Sequence, residues 1–138
     1  MTDIFLDEVS SNDSGLAYYQ QLSDYIHGTN PGALVILNPG TYPSEPYMSI
    51  GDIILAFEGT YAEYLGLDVP SWVDDYPAAK FANVIYGAPE SGLASAISTA
   101  QRRHVGYIYV TPDTGANPYG SMAGYWTRED AIIAACGA

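Results

Sequence analysis

Short apolar runs alternate with helix-patterned segments along the whole chain. Residues 3–9 are mostly apolar and read as a strand. A Ser/Asn/Asp loop at 10–14 follows, a good helix entrance. Residues 15–27 carry Leu16, Tyr19, Leu22 and Ile26 at helical spacing, and Gly28–Gly32 breaks that pattern. The run 33–37 is continuously apolar, as expected for a parallel strand buried on both faces. After a Pro/Gly loop, 45–51 predicts one short helix, 53–57 a buried strand and 61–67 a short helix. Residues 82–86 predict a fourth strand. Residues 90–104 predict a helix with Leu93, Ile97 and Ala100 on one face. A fifth strand at 107–110, a turn-rich loop and a closing helix at 126–135 complete the series.

Strands alternating with helices argue for a parallel sheet in an α/β fold. The polar residues that follow the apolar runs are Asp7, Glu8, Asn38, Glu58, Tyr86, Thr111 and Asp113. In α/β folds that edge of the sheet is where chemistry sits. No repeat, linker or low-complexity tract divides the 138 residues, so one domain is expected.

Charge narrows the partners. Sixteen acidic and four basic residues give a formal charge of −12. Lys80, Arg102, Arg103 and Arg128 form no stripe, which speaks against nucleic acid. An acidic surface suits a neutral or cationic ligand. The single cysteine, Cys136, allows no intrachain disulfide and no Cys-based zinc site. No apolar stretch is long enough to span a membrane, and no signal-peptide pattern is seen. Thirteen Tyr and two Trp are many for this length, and their flat apolar faces suit sugar rings.

Two acidic clusters carry the chemical signal. Leu6-Asp7-Glu8-Val9 and Phe57-Glu58-Gly59-Thr60 each place a carboxylate directly after an apolar run. Two carboxylates facing one cleft are the minimum equipment for glycoside hydrolysis. Neighbouring residues on a strand face opposite ways, so Asp7 and Glu8 cannot project alike unless the strand has already ended; one is expected to react and the other to support it. Asn38-Pro39-Gly40-Thr41 can present an amide to a ligand, and reads equally well as an ordinary turn. His27 and His104 sit at helix ends and read as structural. Ser10 and Ser11 have no partner histidine, there is no phosphate-binding glycine motif, and neither a metal nor a cofactor is expected.

Taken together, several segments resemble the spherulin-4 (spherulation-specific) family. They are Asp7-Glu8-Val9-Ser10-Ser11, Leu37-Asn38-Pro39-Gly40-Thr41, Phe57-Glu58-Gly59-Thr60-Tyr61, Pro70-Ser71-Trp72, the stretch from Lys80 to Gly87, Gly106 to Thr111, and Asn117-Pro118-Tyr119. They occur in order and cover nearly the whole chain. The resemblance implies a (β/α)8 barrel and hydrolysis of α-1,4-linked galactosamine-type polysaccharide. It implies Asp7 as nucleophile, Glu58 as general acid/base and Glu8 as a sugar-positioning or charge-tuning group. Asn38, Tyr61, Tyr86, Tyr109 and Asp113 are the expected substrate contacts. It also implies an extracellular or cell-wall setting, and an acidic cleft would attract a partly deacetylated polymer.

In that frame the chain opens at the barrel's fourth strand. The expected fold is therefore a partial barrel of about five parallel strands with outer helices, lacking three N-terminal βα units. Both edge strands would be open, so self-association or pairing with an N-terminal half is expected. A non-catalytic carbohydrate-binding protein, relying on its Tyr and Trp residues, is the alternative.

Overall fold

The computed structural model describes residues 3–136, with side chains to residue 135. Five parallel strands form one sheet in the order β1-β2-β3-β4-β5. They are β1 (Ile4–Leu6), β2 (Val35–Leu37), β3 (Ile53–Thr60), β4 (Phe81–Tyr86) and β5 (Tyr107–Val110). The α-helices are α1 (Leu16–Thr29), α2 (Tyr61–Leu65), α3 (Leu93–Arg102) and α4 (Trp126–Cys136). With sequential strands and right-handed crossovers, every connection falls on one face of the sheet. The burial follows. Val35, Leu37, Ile54, Phe81, Ile85 and Val110 point to that face and are buried with Leu93, Ala96, Ile97 and Ala100 of α3. The opposite face is left open at both ends, where Phe5 is 54% and Tyr107 50% exposed.

Several boundaries differ from the sequence expectation, each for a local reason. β1 stops at Leu6 because Glu8 adopts a left-handed conformation, φ 53°, and turns the chain out of the strand. Val9 then returns to the core, its N–H donating to the Asn38 carbonyl at 2.9 Å. Residues 45–51 form a single 3-10 turn, Glu45–Ser49, and no α-helix. The helix expected from 90 begins as a 3-10 turn, Glu90–Gly92, and becomes α-helical at Leu93. It ends at Arg102, and His104 has φ 60°. α2 owes its sharp start to a capping box: Glu63 N–H donates to Thr60 Oγ1, and Thr60 N–H donates to Glu63 Oε2 at 3.0 Å.

The two histidines serve the scaffold. His27, in the last turn of α1, meets Asp52 Oδ2 at 3.0 Å, and the same oxygen accepts the Val35 N–H at 2.7 Å. This ties α1 to the start of β2. His104 donates from Nε2 to the Tyr76 carbonyl at 2.7 Å.

Glu129 closes part of the β5 edge. It is fully buried, and its Oε1 accepts the Val110 N–H at 2.8 Å, while Oε2 has no partner among the described residues. Burial pushes this carboxyl up to about 7, opposed by the Val110 hydrogen bond. The folded state thus holds a proton that the unfolded state releases. Stability is full below the ordinary glutamate range and falls as pH rises through about 7. Glu129→Gln keeps the acceptor for Val110 and removes the charge. Thermal melts from pH 4.5 to 8 should show a declining Tm for wild type that the variant flattens, making it the more stable protein at pH 8.

Candidate functional site

The β3 backbone decides where Glu58 points. Leu55 pairs with Ala82 and Phe57 with Asn83, which leaves Ala56 as an extra residue, a bulge. Plain alternation from Leu55 would send Glu58 toward the helices. The bulge reverses the parity, so Glu58 aligns with Val84 and, through it, with Tyr109, all on the open face. On β1 the strand has ended before Asp7, so Asp7 and Glu8 escape the alternation rule and both line the same cavity. That cavity, about 610 Å³, is also lined by Phe5, Asn38, Gly40, Glu58, Val84, Tyr109 and Tyr119.

Asn38 organises the carboxylates. It is 7% exposed at the end of β2, and its N–H donates to the Leu6 carbonyl at 2.8 Å. Its side-chain Nδ2 donates to Asp7 Oδ1 and to Glu58 Oε2, each at 2.8 Å. Its Oδ1 accepts the Gly40 N–H at 2.9 Å. Gly40 has φ +66°, a backbone that favours glycine, and its carbonyl accepts the Glu58 N–H at 3.0 Å. The turn after β2 therefore holds Glu58 at both its backbone and its side chain. Two oxygens each 2.8 Å from one nitrogen lie at most ~5.6 Å apart. Among the described residues, no Lys, Arg or His lines this cavity. Neutral donors alone meet the carboxylates there.

The remaining expected contacts divide. Tyr109 lines the cavity by its ring, with its hydroxyl accepting the Ala123 N–H at 3.1 Å. Tyr86 does not itself line the cavity; its ring lies 6.4 Å from that of Tyr119, at 82°. Tyr61 is not brought in: it opens α2, and its ring packs over Gly92, where an added Cβ would meet it at 2.9 Å. Asp113 is not brought in either. It accepts from the Ser121 hydroxyl at 3.2 Å, and its carbonyl accepts the Gly87 N–H at 2.9 Å. Tyr119 was missed as a site residue. It follows no strand, and its only signal was the Asn117-Pro118-Tyr119 segment.

Residues 1–133 match the profile of Spherulation-specific family 4. The chain belongs to that family. A curated relative, Spherulin-4 of Physarum polycephalum, is 29% identical over 140 residues, covering 94% of this chain and 42% of the relative. Among solved structures, Aspergillus clavatus Sph3 in complex with GalNAc superposes with a TM-score of 0.82 at 27% identity. That match covers 97% of this chain and 57% of the Sph3 chain. This spherulin-4 family chain thus spans about half the length of the relatives it matches, and shares with Sph3 an α/β fold containing its five-stranded parallel sheet.

Proposed function

We propose that this chain carries the catalytic half of a glycoside hydrolase acting on α-1,4-linked galactosamine-type polysaccharide. The observation that supports this best is the shared Asn38 amide. It holds one oxygen of Asp7 and one of Glu58 within ~5.6 Å of each other, close enough for both carboxylates to act on one glycosidic bond. The similarity to a protein crystallised with GalNAc supports the sugar class.

In this reading Glu58 gives its proton to the glycosidic oxygen while Asp7 attacks the anomeric carbon. The C–O bond to the leaving sugar breaks, and an ester to Asp7 forms. Glu58, now a carboxylate, takes a proton from water, whose oxygen displaces Asp7 and restores both groups. Glu8, exposed at the cavity rim, meets the amino or hydroxyl groups of the sugar.

The sheet is one arc of a (β/α)8 barrel in this proposal, with its open face toward the barrel interior. The outer edges of β1 and β5 are then where further strands or a second copy pair. An extracellular or cell-wall polymer is the substrate.

The test is release of reducing ends from an α-1,4-linked galactosamine polymer, with NMR detection of the first-formed anomer. An α product supports the two-step route, and a β product removes it. A binding-only reading draws on the apolar rings of Phe5, Tyr109 and Tyr119 around the cavity. Under it, Tyr109→Ala should weaken polymer binding about tenfold, and no reducing ends should appear.

A further inference from the structure

Tyr119 reaches the cavity from a long way off in the fold. It rides on the β5–α4 loop, residues 111–125, yet lines the same space as Glu58 of β3. That loop is tethered along its length. Ala88 N–H donates to the Thr111 carbonyl at 3.0 Å, and the Asp113 and Tyr109 contacts already described fix two further points. Asn117 Oδ1 accepts the Tyr119 N–H at 3.1 Å, an Asx turn that sets the direction of the side chain. Pro118 is buried, and the Tyr86 ring meets the Tyr119 ring edge to face. Placement by so many contacts is more than a loose surface aromatic requires.

We propose that Tyr119 is a positioning residue for Glu58. Its hydroxyl holds the Glu58 carboxyl from the β5 side of the cavity, while the Asn38 amide holds it from the β2 side. The role in turnover rests on the hydrolase reading; the contact itself does not. The Tyr119 phenol is raised well above the ordinary tyrosine range, first by burial and then by the Glu58 carboxylate beside it. The other groups facing this space are Asp7 and Glu8 after β1, Asn38 after β2 and Tyr109 on β5, with Tyr86 at the end of β4 meeting it only through the Tyr119 ring. None is a cation. Among the described residues only neutral donors are at hand to steady Glu58, and Asn38 already divides its amide between two carboxylates.

Two measurements test this. The first is 13C-tyrosine NMR titration of the whole chain, with the Tyr119 resonance assigned from its loss in Tyr119→Phe. In wild type Tyr119 should ionise above the other exposed tyrosines. In Glu58→Gln it should move down by about one pH unit or more, because the neighbouring charge is gone. An unchanged Tyr119 titration overturns the proposal. The second is polymer hydrolysis by Tyr119→Phe, which keeps the ring and should keep the Tm. kcat should fall about tenfold with KM within about twofold, and the pH–rate profile should shift. A rise in KM alone, with an unmoved profile, would make Tyr119 a sugar-stacking surface and overturn the positioning role. If wild type releases no reducing ends, the hydrolase reading fails, and the titration alone decides whether Tyr119 engages Glu58.

Discussion

Glu58→Gln is expected to lower kcat on the galactosamine polymer by about 10³-fold or more, within the range that general acid–base groups contribute. Polymer binding should stay within about twofold. The substitution is chosen for what it preserves. Glutamine can still accept the Asn38 Nδ2 hydrogen bond that Glu58 Oε2 accepts at 2.8 Å, and the bulge at Ala56 still aims it into the cavity. What it cannot do is carry a proton between the leaving oxygen and water.

An activated aryl glycoside separates the two steps. Its leaving group needs no proton, so attack by Asp7 should survive in Glu58→Gln, while the second step stays slow. A burst of phenol, followed by a covalent adduct in the mass spectrum, is the expected record. The adduct should lie on Asp7. An adduct on Glu8 would exchange their roles, because both line the cavity beyond the end of β1. A full-rate Glu58→Gln would end the two-carboxylate mechanism.

Much of this frame could be read from the sequence, and its limits have physical causes. The five strands followed from apolar runs that must be buried beneath helices, and the runs at 33–37 and 53–57 stood out because both faces looked apolar. The acids were found because a carboxylate after such a run needs a reason. Strict alternation breaks down at both acidic clusters, at the first because the strand has already ended. Glu8 leaves the extended region at φ 53°, so Asp7 and Glu8 need not face apart. Ala56 is an unpaired extra residue, and nothing in Leu55-Ala56-Phe57 announces that β4 will skip it. Tyr61 was expected at the site as part of the Phe57-Glu58-Gly59-Thr60-Tyr61 segment. The same parity that turns Thr60, opposite Tyr86, to the open face sends the next residue under α3. Tyr119 lay in a Gly/Pro-rich loop, where only the fold of distant strands could give it a place. The bridging of Asp7 and Glu58 by Asn38 had the same origin: a turn amide was visible, but its two partners lay 31 and 20 residues away.

Asn38→Asp should damage both stability and turnover, although it changes one amide to a carboxylate of the same shape. Every polar atom of the Asn38 side chain is engaged: Nδ2 with Asp7 and Glu58, Oδ1 with the Gly40 N–H. Aspartate keeps the Gly40 contact. It replaces the shared donor with a third acceptor, buried at a position 7% exposed and facing two carboxylates with no cation lining the cavity among the described residues. Placing an unpaired charge at this buried position typically costs several kcal/mol, so a fall in Tm of roughly 10 °C or more is expected at pH 7. Crowding three carboxylates raises their folded-state proton affinity above that of the unfolded chain. The penalty therefore appears as pH rises and is relieved as pH falls, when protonated carboxyls can donate to one another. Melts of wild type and Asn38→Asp at pH 7 and pH 4 should show a wide gap that narrows on acidification. kcat at pH 7 should fall at least ~10²-fold, since the pair is no longer held at its separation. An equal Tm at pH 7 would mean that the Asn38 amide does not bridge Asp7 and Glu58. The argument that one amide holds the two carboxylates over a common bond would then lose its basis.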